Sequence, residues 1–163
     1  MSARLKRLCL SGLFAALIYV FTAFIRIPSH TGYTHVGDAF LFLAASLLPR
    51  SYAAAVGVTG AVLADCLTGF PVWAPASAII KALSALSFTS RRERLLCLRN
   101  VLALIPAFAL CIGGYYLYDA LITGSLIAPL AGIPGYVTQC VLSGILYLVS
   151  AAALDSVHLK QKL

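Results

Sequence analysis

Asp38, Asp65 and Lys81 fall in or at the ends of long apolar runs, in a chain with almost no charge to spare. An ionisable group inside an apolar span is costly and by default marks a functional site. Asp119 and Gln139 sit in later apolar runs, and Tyr33, His35, Trp73 and Tyr115 flank the same set. The chemistry open to such a group is recognition: carboxylates accept paired N–H donors, and aromatic faces stack on flat rings. Covalent catalysis is poorly served, because Lys81 has no second catalytic group at a fixed spacing. The sequence has no HExxH, GxSxG or P-loop pattern. Its five cysteines, Cys9, Cys66, Cys97, Cys111 and Cys140, form no CxxC and no metal-ligand spacing with histidine. No catalytic residue, metal or cofactor is expected.

The elements that position these residues are dictated by composition. Of 163 residues, 61% are apolar and 10% charged, against about 25% charged in an ordinary soluble domain. The chain is therefore expected to be a single membrane domain over residues 1–163. Its fold class is all-α, a six-helix transmembrane bundle. The spans are Leu8–Ile25, Val36–Leu48, Tyr52–Leu67, Trp73–Phe88, Val101–Ile122 and Ala131–Leu154. Several are shorter than the roughly 20 residues of a full crossing. The first is too long for a signal-peptide core and is read as a retained helix.

The net charge of +7 is distributed as membrane topology demands. One side holds Arg4, Lys6, Arg7, Arg50, Arg91, Arg92, Arg94, Arg99, Lys160 and Lys162, and the other holds only Arg26. Both termini are placed in the cytoplasm, and nucleic acid is not an expected partner. Asp38, Asp65 and Asp119 then lie near the outer face, with Lys81 and Gln139 roughly 12 Å deep. The polar groups converge on an outward-facing site and do not continue as a channel.

Each feature has a plainer reading. Asp65 and Lys81 can simply neutralise one another. Tyr33, Trp73, Tyr115, Tyr116 and Tyr118 can be interfacial anchors, although the whole Gly32–Asp38 segment reads better as a lid loop. On the first span, Ser11, Ala15, Tyr19 and Ala23 recur every four residues, with Gly12 and Ala16 in a parallel row. Small residues at this spacing serve close helix approach, within the bundle or toward a partner. Arg91-Arg92-Glu93-Arg94 is a topology anchor or a surface for anionic lipid or an ATPase.

The run Gly32-Tyr33-Thr34-His35-Val36-Gly37-Asp38, then Ala64-Asp65, Gly69-Phe70, Trp73-Ala74-Pro75-Ala76 and Ile80-Lys81 resembles signatures of the substrate-binding S components of energy-coupling factor (ECF) transporters. Phe70 replaces the usual tyrosine. The resemblance implies a high-affinity binding subunit for a micronutrient. That subunit docks onto a transmembrane T component driven by two ABC-type ATPases in a prokaryotic plasma membrane, then topples to deliver its ligand. It implies that Ser11, Ala15, Tyr19 and Ala23 form the docking face, with Tyr19 departing from an all-small row. It implies that the loop carrying Tyr33 and His35 gates the site. The candidate substrate contacts, read from the depth and type of the residues themselves, are Tyr33, His35, Asp38, Asp65, Trp73, Lys81, Tyr115, Asp119 and Gln139. The branch is similar to S components linked to queuine-type salvage, so a 7-deazaguanine-type base ranks first, before a thiamine precursor or pyridoxine. Two rivals remain: a membrane-embedded enzyme using His35, Asp38 and Asp65, and a stand-alone secondary transporter, which would show inverted repeats.

Overall fold

The computed structural model describes residues 2–29 and 32–162. Lys162 ends the last helix, and its side chain lies outside what is described. Helix α1 spans Ala3–Ala23 and is capped by the Ser2 side chain, which accepts from the Leu5 amide at 3.3 Å. Phe14, Ile18 and Thr22, one helical turn apart, form its buried face. That face lies on α3, Arg50–Leu67, at Gly60. A Cβ at Gly60 would come within 2.8 Å of Ile18 Cβ and 2.9 Å of the Ala15 carbonyl. Only glycine permits this approach.

The connection after α1 is a correction to the all-helical expectation. The lid segment is an antiparallel hairpin, with β1 at Arg26–Ser29 and β2 at Gly32–His35. Arg26 pairs with His35 and Pro28 with Tyr33. Strand alternation puts Tyr33 and His35 on one face and Thr34 on the other.

Helix α2, Asp38–Leu47, has ten residues and is almost wholly buried. It is apolar all round because protein surrounds it, as expected of a central helix. A helix in that position need not match the bilayer thickness, which accounts for its length. Pro49 starts α3 directly after it. The chain then turns at Gly69, whose φ of +89° favours glycine. A short 3₁₀ turn, Pro71–Trp73, leads into α4, Ala74–Ser87, with Pro75 in its first turn.

After the loop 88–97 come a short α5, Leu98–Leu102, and α6, Leu104–Thr123, which ends at Gly124 in the left-handed region. A second 3₁₀ turn, Ala128–Gly132, precedes α7, Ile133–Ser156, and α8, Leu159–Lys162, follows. Helix covers most of each expected span, but the helices are not six: the expected Val101–Ile122 span is divided at Ala103 between α5 and α6, and α8 adds a short turn after α7. Among the described residues, three helical stretches are long and apolar enough to cross a membrane: Ala3–Ala23, Leu98–Thr123 and Ala128–Ser156. Leu13, Phe24, Ile79, Ile105, Leu121 and Val149 are among many large apolar side chains facing outward. A surface of that kind suits lipid, not water.

The interior divides in two. Toward the basic end, Phe42 stacks on Phe88 at 5.0 Å, and Tyr147 meets both edge-on. Toward the other end, Ala76, Ile80, Cys111, Tyr115 and Cys140 are packed by Trp73, Tyr118 and Tyr136. The first cluster is a closed core, and the second borders the polar residues of interest.

Candidate functional site

Three helices build the floor. Asp38 opens α2, Lys81 lies midway along α4 and Gln139 two turns into α7. Lys81 Nζ is 2.8 Å and 2.9 Å from the two Asp38 carboxylate oxygens, with both side chains buried. Gln139 donates from Nε2 to Asp38 at 2.9 Å and approaches Cys111 Sγ at 3.6 Å. A buried ion pair holds only where further hydrogen bonds offset the desolvation of its charges. Gln139 supplies one, and the Tyr115 ring, 5.2 Å from Nζ, faces the ammonium.

Aromatic residues form the wall. Tyr115 stacks on Tyr136 with ring centroids 5.4 Å apart, and Trp73 meets Tyr115 edge-on at 6.1 Å. The Tyr115 hydroxyl is 2.9 Å from Ser77 Oγ. Tyr136 donates to Asp119 at 2.7 Å. Tyr118 instead donates to the Val72 carbonyl, and Tyr116 turns to the Leu126 carbonyl. Those two fasten connections.

The hairpin covers the third part. Tyr33 donates to Asp65 Oδ1 at 2.9 Å and packs on Phe70 at 5.0 Å. The Arg26 guanidinium lies 5.2 Å from the Tyr33 ring centre and 6.0 Å from that of Phe70. Thr34, on the opposite strand face, donates to the Gly135 carbonyl at 3.1 Å. Burial, and then the Asp65 charge, push the Tyr33 phenol above its ordinary range, so it stays protonated and donates. His35 is buried, and its Nδ1 accepts from the Gly37 amide at 3.2 Å. Burial lowers its pKa to about 4 against the opposing pull of Asp38, which leaves a neutral ring.

One expectation changes here. Lys81 is paired with Asp38 on α2 and not with Asp65, because Gly57 is the α3 residue beside the Lys81 backbone and Asp65 lies two turns, about 12 Å, farther along that helix. Asp65 accepts from Tyr33 on one oxygen; its other oxygen makes no hydrogen bond of good geometry among the described residues, although the residue is only 6% exposed, and the Ser77 hydroxyl is the protein group near enough to act on the carboxylate. On α1, Ala23 is buried and Ser11, Ala15 and Tyr19 are half-buried, with the Ala15 carbonyl facing Gly60 of α3. The parallel row Gly12 and Ala16 is the exposed one.

Ser77 and Tyr136 were missed by sequence reasoning. Both were findable by helical spacing: Ser77 is one turn before Lys81, and Tyr136 is three residues before Gln139. Among the described residues no group of three or more His, Cys, Asp or Glu is placed to hold a metal.

The structure is similar to a solved structure described as "Structure and mechanism of the S component of a bacterial ECF transporter". The TM-score is 0.72, with 20% identity over 94% of this chain and 97% of that one. No curated protein matches the sequence. The family model "ECF-type riboflavin transporter, S component" matches residues 2–156. With that match spanning nearly all of the sequence, the chain belongs to the ECF-type riboflavin transporter S component family.

Proposed function

We propose that this protein is the high-affinity substrate-binding subunit of an ATP-driven importer and captures a flat heterocyclic micronutrient from outside. The observation that carries the ligand class is Asp65. It is a buried carboxylate with one oxygen held by Tyr33 and the other, near the Ser77 hydroxyl, without a hydrogen bond of good geometry among the described residues. A ligand N–H satisfies such an oxygen, and a charge-assisted bond of that kind is about twice as strong as a neutral one. Trp73, Tyr115 and Tyr136 supply aromatic faces beside it.

A 7-deazaguanine-type base of the queuine kind suits this arrangement best, since its 2-amino-pyrimidinone edge offers two adjacent N–H donors. Riboflavin is the second reading, supported by the family name and by the aromatic wall; its imide offers one N–H between two carbonyls. A thiamine precursor or pyridoxine ranks third. Tyr33, His35, Asp38, Asp65, Trp73, Lys81, Tyr115, Asp119 and Gln139 form the proposed binding set. Asp38, Lys81 and Gln139 act as its rigid floor.

The subunit works with a T component and two ATPases, which hydrolyse the ATP. In this reading the six longer helices span a prokaryotic plasma membrane with both termini in the cytoplasm, as the basic residues require. The α1 row of Ser11, Ala15, Tyr19 and Ala23, widened by the exposed Gly12 and Ala16, faces the T component. Mass spectrometry of the small molecule that co-purifies with the detergent-solubilised protein tests the ligand. A donor-rich base supports the reading and a flavin supports the second. A compound with neither N–H donors nor a flat ring refutes both.

A further inference from the structure

The basic end carries a second concave feature, remote from the site above. A groove of about 750 Å³ runs from Arg92 and Arg99 along Leu98, Leu102 and Pro106. Leu98 is 75% exposed and Leu102 52% exposed, so its lower part is open and apolar. Neither arginine is ion-paired among the described residues, and no carboxylate lines the groove. The neighbouring groove that takes Arg94 differs, because Glu93 and Asp155 share it.

The loop that carries Arg92 is held at both ends. Buried Asn100 accepts from the Thr89 amide at 2.9 Å and donates to the Thr89 and Leu95 carbonyls at 3.0 Å and 3.1 Å. The Asp155 carboxylate accepts from the Leu95 and Leu96 amides at 2.8 Å and 2.9 Å. These bonds organise a loop without regular secondary structure and present Arg92 beside Arg99 above an apolar channel. A topology anchor needs the charges alone, without the fastening or the channel.

We propose that this groove is a binding site for one anionic phospholipid of the leaflet on the basic side. The phosphate sits between Arg92 and Arg99, and an acyl chain follows Leu98, Leu102 and Pro106. Basic pockets at the ends of membrane helices recognise headgroups in this way. Guanidinium groups suit phosphate through paired N–H donors.

The test is native mass spectrometry of the full chain in detergent, titrated with phosphatidylglycerol and with phosphatidylcholine of the same acyl chains. One phosphatidylglycerol is expected to be retained in preference to phosphatidylcholine. R92Q/R99Q should weaken it roughly thirtyfold, from about 1 kcal/mol per basic side chain and tenfold per about 1.4 kcal/mol. R92K/R99K, which keeps the charges and loses the paired donors, should fall between wild type and R92Q/R99Q, and R4Q/R7Q, which changes charge on the same side, should leave the affinity intact. Equal retention of the two lipids, unchanged affinity in R92Q/R99Q, or an equal loss in R4Q/R7Q overturns the proposal. Photo-crosslinking a headgroup-labelled phosphatidylglycerol to the unmodified chain gives a readout independent of any variant's folding. Label within residues 87–106 supports the site, and label confined elsewhere refutes it.

Discussion

Replacing Asp65 with Asn isolates the step on which ligand recognition depends. The exchange keeps the size of the side chain and an oxygen able to accept from Tyr33, 2.9 Å away. It removes the negative charge and turns the second oxygen into an N–H₂ group. A ligand N–H then meets a donor instead of a charged acceptor. A hydrogen bond to a charged group contributes about 1.5–3 kcal/mol, so D65N should weaken binding between roughly tenfold and 150-fold. The thermal midpoint of the unliganded protein should move little, since no lysine or arginine is left without its partner: Lys81 stays with Asp38. Y33F is the companion variant. It removes the hydroxyl yet keeps the ring on Phe70 and under Arg26, and should cost affinity less than D65N. Isothermal titration of detergent-solubilised protein with the ligand identified by mass spectrometry reads both. Wild-type affinity in D65N, with the protein folded, refutes the role given to Asp65.

The remaining predictions concern the floor, the hairpin and α1. K81M leaves Asp38 buried without its cation and should destabilise the protein by about 3–5 kcal/mol, whereas D38L/K81M should recover most of that in thermal melts. Equal loss in both would show that the pair is not what holds the floor. His35, neutral when folded, has its pKa lowered from 6.5 to about 4. Its contribution is therefore complete above pH 6.5 and is lost as the pH falls toward 4. By linkage about 2 kcal/mol is gone at pH 5, and H35Q should flatten that dependence. G60V must force α1 from α3, since its Cβ would fall 2.8 Å from Ile18; overpacking of this kind costs about 1–3 kcal/mol, read as a lower melting midpoint. A16W places bulk on the exposed row of α1 and should abolish uptake by the assembled transporter while leaving ligand binding unchanged. Normal uptake would remove that row from the docking face.

Much of the architecture was legible because lipid imposes long apolar runs and charge asymmetry that linear order preserves. The apolar segments read as spans are largely helical and the breaks at Pro49 and Gly69 lie where expected, but the count of six does not hold, since the fifth segment is divided between α5 and α6 and α8 follows the last. Spacing along the chain also identified Asp38, Lys81 and Gln139 as scarce polar groups. It left open which carboxylate Lys81 meets. That choice depends on where α2 sits between its neighbours, and a ten-residue helix carries too few residues to announce its central position.

The hairpin was hidden for a related reason. Arg26–Ser29 and Gly32–His35 are short, carry Pro28, and have no extended alternation of apolar and polar residues. Their pairing is supported by what lies beneath: Tyr33 on Asp65 and Phe70, and Thr34 on Gly135. The sequence by itself determined a membrane-embedded helical chain, its basic side and the residue types available for a binding site. Tertiary structure decided the partners, giving Lys81 to Asp38 and Tyr33 to Asp65 and turning Ala15 toward Gly60 while Ala16 faces outward. The physical reason is range. Hydropathy and helical period act between near neighbours in the chain, whereas these contacts join residues as far apart as 101 positions, Asp38 and Gln139, and depend on how whole helices pack.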